Sequence, residues 1–128
     1  MQLLNQMVQY SHTRCDATFA ALSDATRRGV VEALMRQDAS ISDLAQRFDM
    51  TLTGMKKHVG VLEQAGLVRT VKQGRVRTCT LGPSRLEDEM AWMDAYHRMW
   101  VARFAALDDV IADLKRMENG DGKRRDEI

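Results

Sequence analysis

The stretch that decides the fold is TLTGMKKHVGVLEQAG, residues 51–66, followed by LVRTVK (67–72), QG (73–74) and RVRTCTL (75–81). Its first part predicts a helix. Thr51 is placed to cap it, because a short hydroxyl can accept a bond from the free amides of a first turn. Met55, Val59 and Leu62 recur at i, i+4 and i+7 and make one apolar stripe. Gly66 falls where a left-handed residue would end the helix. The second part predicts a two-stranded ribbon bent at Gln73-Gly74. Val, Thr and Leu suit a pleated strand, and glycine at the bend supplies the positive φ that a tight hairpin needs.

Charge sets this stretch apart. Between Thr51 and Leu81 stand Lys56, Lys57, Arg69, Lys72, Arg75 and Arg77 against the single acid Glu63, a local balance of +5 on a chain of only +1. Residues 1–50 carry −1 and residues 84–118 carry −3. Only the middle is positive, so only the middle is expected to face nucleic acid.

The flanking segments extend the pattern. In ASISDLAQRFDM (39–50), Ser42 is a candidate cap for a short helix burying Leu44, Ala45 and Phe48. Asp49-Met50 then makes a tight connection into the Thr51 helix. A short helix, a tight turn and a second helix with a polar leading face is the helix-turn-helix arrangement. Upstream, SDATRRGVVEALMRQ (23–37) predicts a helix capped by Ser23 or Asp24, with Val30, Val31, Leu34 and Met35 inward. Arg27 and Arg28 in its first turns are either solvated or in reach of a phosphate. Before that, Leu3, Leu4, Met7 and Val8, then Cys15, Phe19 and Leu22, suggest one helix broken around Ser11-His12-Thr13.

Downstream, Gly82-Pro83 breaks the ribbon, and a long helix is expected from about Ser84 to Glu118. Leu86, Met90, Met93, His97, Trp100, Phe104, Leu107, Ile111 and Leu114 alternate steps of 4 and 3, a heptad seam. Trp92, Tyr96, Met99 and Val110 widen it. Such a helix would be roughly 50 Å long at 1.5 Å per residue, overrunning a small domain and needing a partner. A second copy is the economical one, with the N-terminal helix alongside. Glu87-Asp88-Glu89 at its start complement the helix dipole. The last ten residues, NGDGKRRDEI, have no apolar period. The expected organisation is residues 1–118 as one DNA-binding domain with terminal dimerisation helices, and 119–128 as a flexible tail. The fold class is mainly α with a small β-hairpin.

Composition agrees with one domain: 128 residues, 45% hydrophobic, with nine Met and few aromatics to fill the core. No apolar run is long enough to span a bilayer, and the start lacks the basic-then-apolar order of a secretion signal. Two cysteines, Cys15 and Cys79, make no disulfide framework, so a cytoplasmic protein with free thiols is expected. There is no phosphate loop, nucleophile elbow or flagged carboxylate pair, and no enzyme is expected.

ALSDATRRGVVEAL, SDLAQRFDMTLTGMKKHVGVLEQAGLV and QGRVRTCTL together resemble the ArsR/SmtB family of bacterial winged-helix repressors, over about Phe19 to Leu114. The resemblance implies a dimer that binds double-stranded operator DNA, usually to repress. It implies that Thr51–Gln64 is the recognition helix and Val68–Leu81 the wing. With Met55, Val59 and Leu62 inward, Thr53, Lys57, Gly60 and Gln64 point away. Thr53 and Lys57 then suit base edges, and Lys56 and His58 the flanking phosphates. With Thr51, Gly54, Gln73, Gly74, Arg75 and Arg77 these make the expected DNA-binding set. Met7, Phe19, Met93, His97, Trp100, Phe104, Leu107 and Ile111 make the expected dimer interface.

The sensing half of the family pattern is missing. Where arsenic sensors carry Cys-x-Cys, this chain has Ile41-Ser42-Asp43. Where zinc sensors place Asp-x-His on the last helix, it has Asp94 and His97, one residue too far apart. His12 and Cys15 sit at i, i+3, but two ligands are too few for a closed zinc site. Cys79 falls on the second ribbon strand in phase with Arg77, either a half-buried residue or a thiol near a cation. No metal and no cofactor are therefore expected, and no effector can be named. Two other readings stand beside the repressor: a protein-interaction module built on the same helices, and a metal- or redox-responsive sensor of the same family. A module that binds protein should have lost the basic balance of the helix and wing.

Overall fold

The computed structural model describes residues 14–126. The expected helix over Leu3, Leu4, Met7 and Val8, and its break at Ser11-His12-Thr13, lie outside them. The elements are α1 (helical over residues 14–22), α2 (Ala25–Arg36), β1 (Ala39–Ser40), α3 (Ile41–Arg47), α4 (Leu52–Gln64), β2 (Val68–Gln73), β3 (Val76–Leu81) and α5 (Glu87–Asp126). The chain divides into two units, with the boundary between Glu89 and Met90.

In the first unit, three helices start in the same way. A side-chain oxygen of the residue before each helix accepts from the amide three residues on: Asp24 from Arg27, Ser40 from Asp43, and Thr51 from Gly54, each at 3.0 Å. Each satisfies one of the orphan amides of a first turn, which is worth about 1 kcal/mol. Thr51 is the expected cap, and Asp24 is one of the two residues expected to cap α2. The α3 cap is Ser40 rather than Ser42, because α3 begins at Ile41 and its Ser42 is exposed.

Two helices also end alike. At the close of α3, the Met50 amide reaches back to the Ala45 carbonyl at 2.8 Å, with Asp49 left-handed at φ 52. At the close of α4, the Leu67 amide reaches the Leu62 carbonyl at 3.0 Å, with Gly66 at φ 75. Both are six-residue Schellman closures. The first is the helix-turn-helix turn itself. Asp49 fills a position where glycine would be unstrained, and an Asp side chain tolerates it better than most.

The core joins all of these elements. Val30 and Leu34 from α2, Ile41 and Leu44 from α3, and Met55, Val59 and Leu62 from α4 close over Val68 and Cys79 of the sheet. The α4 stripe is buried as its spacing predicts. Val31 and Phe48 are only partly buried, and Met35 is 67% exposed, against the expectation that it faces inward. Met35 follows Leu34 directly and so points about 100° away from the Val30–Leu34 stripe, off the core face. In α1 the buried residues are Thr18 and Ala21, and Phe19 stays 38% exposed.

The sheet has three antiparallel strands in the order β1-β3-β2. The ribbon is the expected one, but β1 is not. It is two residues long, pairing Ala39 with Cys79 and Ser40 with Thr78, too short to carry a period. The bend is also shifted by one residue. Gln73 pairs with Val76, so the turn is Gly74-Arg75 rather than Gln73-Gly74. A two-residue hairpin of the II′ kind needs positive φ at its first central position, and Gly74 supplies it at φ 64.

Gly82 does more than break a strand. Its amide donates to the Leu67 carbonyl at 2.9 Å, and a Cβ there would lie 2.3 Å from the Gly66 carbonyl oxygen. The end of β3 is thus pressed against the end of α4, backbone on backbone. The chain then turns through Leu86, held at φ 60 with its side chain against the core and its amide bonded to Ser84 Oγ. Leu86 therefore belongs to the core and not to the heptad seam. The long helix starts at Glu87, later than the expected Ser84.

In the second unit, α5 continues as helix to Asp126. The flexible tail expected from residue 119 is thus helical in backbone for eight of its ten residues. Asn119 and the two glycines of this segment weaken a helix by up to about 1 kcal/mol each but do not end one, and no proline follows. Its seam residues are all exposed in the single chain. Trp92, Tyr96, Trp100 and Phe104 follow one another along it, with ring centroids 5.8, 6.4 and 5.6 Å apart, the outer two pairs stacked and the Tyr96–Trp100 pair tilted. Among the described residues, no helix is long and apolar enough to cross a membrane.

Candidate nucleic-acid interface

The burial of Met55, Val59 and Leu62 fixes the rotation of α4. Thr53, Lys57 and Gln64 are consequently exposed on the opposite side, and Gly60 lies there with nothing within 4 Å of where a Cβ would stand. Lys56 is exposed on one flank. Thr51 spends one oxygen lone pair on the Gly54 amide and keeps its hydroxyl proton for another acceptor. Gly54 sits tight under this cap, with a Cβ position 3.1 Å from Thr51 Oγ1.

The wing supplies the second wall. Register places Lys72 directly opposite Arg77. Both lie in phase with the Thr70–Cys79 pair, of which Cys79 is buried, but two residues beyond it, where the core has ended. They overhang a concavity of about 450 Å³ lined by Ser40, Ile41, Ser42, Leu52, Lys56, Lys72, Arg75, Val76 and Arg77. The lining has four cations and no carboxylate. Like charges directly opposed on a strand pair are unfavourable, so the arrangement wants an anion between them. Gln73, Gly74 and Arg75 form the exposed tip.

His58 stands on the other flank of α4 and is half-buried. The ring is 21% exposed and turned toward α2, with Nδ1 3.3 Å from Arg27 Nη1 and 3.9 Å from Asp24 Oδ2. Arg27 and Arg28 are not simply solvated. They donate to the carbonyls that end α1: Arg27 to Ala21 at 2.7 Å and Ala20 at 3.1 Å, and Arg28 to Leu22 at 2.7 Å. The Arg27 amide, bonded to the Asp24 carboxylate, holds that carboxyl below its ordinary value. Sequence spacing alone missed this corner. The available signal was a cap residue, Asp24, only two positions after a predicted helix end, which brings Arg27 back over that end.

Among the described residues, the candidate sensing groups are not assembled. Cys79 is fully buried, and burial pushes its thiol up to about 11. It is a core residue rather than a half-buried or reactive one. Cys15 is partly exposed, and burial together with the carboxylates of Glu89, Asp88 and Asp16 raises its thiol as well. His12 lies outside the described residues, as does Met7. His97 is exposed on α5, and Asp94 is paired with Arg98 at 2.9 Å. Among the described residues, no three His, Cys, Asp or Glu side chains gather as metal ligands do.

Of the expected interface residues on α5, Met93, Trp100, Phe104, Leu107 and Ile111 are all exposed, Phe104 by 56%. A contiguous row of large exposed apolar side chains is the kind of patch that marks an interaction surface.

An exposed basic helix beside a basic wing, behind a short helix and a tight turn, defines a winged helix-turn-helix DNA-binding fold. The comparisons narrow the class. Residues 22–71 match a helix-turn-helix domain family, HTH_20. The transcriptional repressor SdpR of Bacillus subtilis is 29% identical over 75 residues, 59% of this chain and 83% of SdpR. The HTH-type transcriptional regulator YuzN of the same organism is 32% identical over 87 residues, 62% of this chain and 95% of YuzN. A crystal structure of the ArsR family transcriptional regulator RHA00566 is 41% identical, with a TM-score of 0.64 over 69% of this chain and 91% of that one. The chain belongs to the ArsR family of transcriptional regulators.

Proposed function

We propose that this regulator is a homodimeric repressor that binds double-stranded operator DNA in the bacterial cytoplasm, with α4 in the major groove and the wing tip at the adjacent minor groove. The observation that carries the reading is the acid-free concavity between α4 and the wing, where Lys56, Lys72, Arg75 and Arg77 converge. A phosphate backbone is the ligand that relieves four unopposed cations. Thr53 and Lys57, outermost on α4 and near its N-terminal end, suit base edges. Lys56 suits a phosphate, and Arg75 the narrow groove. The repressor role is drawn from SdpR, which is named as one. The dimer is drawn from the exposed seam of α5, with Phe19 as a further apolar contribution from α1.

The test is a gel shift on the promoter of the protein's own gene at several salt concentrations. Binding whose log K falls linearly with log salt, by several units of slope, supports operator binding. Salt-independent capture of a protein partner with no DNA shift would favour the interaction-module reading instead.

A further inference from the structure

Arg27 and His58 lie thirty-one residues apart in sequence and meet side chain to side chain. Arg27 is anchored on the far side of that contact. Its Nε and Nη2 are fixed by the Ala21 and Ala20 carbonyls, so Nη1 has little freedom. A guanidinium has only N–H donors and stays charged. At 3.3 Å from Nη1, the Nδ1 of His58 must accept and so carries no proton. The proton of the neutral ring then sits on Nε2. Asp24 Oδ2 stands 3.9 Å from the same Nδ1, outside hydrogen-bond range, and already accepts from the Arg27 amide at 3.0 Å. Among the described residues, nothing partners Nε2, and no buried side-chain nitrogen is left unpaired. Nε2 therefore reaches the surface, on the flank of α4 away from Lys56.

We propose that Arg27 is a positioning residue for DNA: it fixes His58 as the Nε2–H tautomer, so that α4 offers a neutral hydrogen-bond donor to a backbone phosphate. This rests on the reading of α4 as the recognition helix. Lys56 holds the phosphates on one side of the groove by charge. His58 holds the other side by direction, because the wrong tautomer would present a lone pair to an anion. The positive charge of Arg27 is spent inside the protein, and its effect on DNA passes through the ring.

The test has two arms. In the free protein, nitrogen NMR of the His58 ring at neutral pH should show protonated Nε2 and bare Nδ1. A proton on Nδ1 overturns the proposal without reference to DNA. In the second arm, operator affinity is measured for His58→Gln and His58→Asn. The Gln amide nitrogen can reach the place of Nε2, and that of Asn only the place of Nδ1. Gln should bind within about threefold of wild type, and Asn should lose about tenfold, the scale of one hydrogen bond to a charged acceptor. Arg27→Met should also lose about tenfold in the His58 protein, but nothing further in the His58→Gln protein, where no tautomer needs fixing. An equal loss in both backgrounds means Arg27 merely supports the fold, and refutes the role. The expected tautomer with no affinity for any DNA would instead refute the reading of α4 and remove the role with it.

Discussion

Lys72 and Arg77 face each other across the wing, and this pairing sets stability against function. Lys72→Thr should make the free protein more stable and its DNA complex weaker. Like charges directly opposed on an antiparallel pair cost about 0.2–1 kcal/mol, and the exposure of both side chains puts the relief near about 0.5 kcal/mol. For a unit of this size that raises Tm by about 2–4 °C. On the DNA side, one phosphate contact is lost per subunit, each contributing about 0.9 to the salt slope, so a dimer loses about 1.8. Over a fourfold change in salt, one contact accounts for about 3.5-fold in affinity and the two for about twelvefold. Thermal unfolding at 50 and 500 mM salt measures the first effect, and anisotropy of a labelled operator across the same range measures the second. Threonine also suits strands better than lysine. Relief of repulsion must therefore shrink at high salt, whereas a gain in propensity persists. Arg77→Thr should match Lys72→Thr, and the double variant should gain less than the sum. Loss of stability in Lys72→Thr, or an unchanged salt slope, would refute the argument that the opposed pair awaits an anion.

Four further outcomes are expected. Lys57→Ala should cost about 1–3 kcal/mol and relax preference at one base pair per half-site, while Lys56→Ala should weaken all sequences alike; selection on randomised operators decides, and the reverse pattern would mean α4 is rotated from its assigned face. Gly82→Ala, which drives a Cβ into the Gly66 carbonyl, should destabilise by about 3 kcal/mol in urea titration, and a loss below about 1 kcal/mol would contradict the close approach. Phe104→Ala should weaken the dimer by about 3 kcal/mol in sedimentation, and a wild-type monomer at micromolar concentration would contradict the interface. Because the folded Cys79 thiol titrates at about 11 against an ordinary 9, the unfolded chain loses its proton first, so stability should fall between those pH values; the fall should be smaller in Cys79→Val.

Much of the fold was legible because α4 carries its own boundaries. Thr51 caps it, Gly66 closes it, and three apolar residues at helical spacing orient it. Orientation of α4 in turn exposes Thr53 and Lys57, so that face of the site follows from local pattern. The wing face does not. A one-residue shift of the turn changes every cross-strand pair. Reading the bend at Gln73-Gly74 would set Lys72 opposite Arg75 and hide its pairing with Arg77. The strand β1 escaped because two residues have no period, and it moved the α3 cap from Ser42 to Ser40 with it. The positions of His58 and Arg27 depend on a contact between α2 and α4, which spacing within either helix cannot report. Leu86 kept the heptad step by coincidence, but its φ of 60 turns it out of the helix and into the core.

The aromatic ladder of α5 has a practical consequence. The chain has two tryptophans, Trp92 and Trp100, and both stand on that ladder. All indole emission therefore originates in the second unit, and the helix-turn-helix and wing contribute none. Dilution through a monomer–dimer equilibrium should move the emission maximum as these rings change surroundings. A DNA titration read in the same channel stays dark unless the event at α4 is relayed along α5, so the unlabelled protein carries its own gauge of that relay.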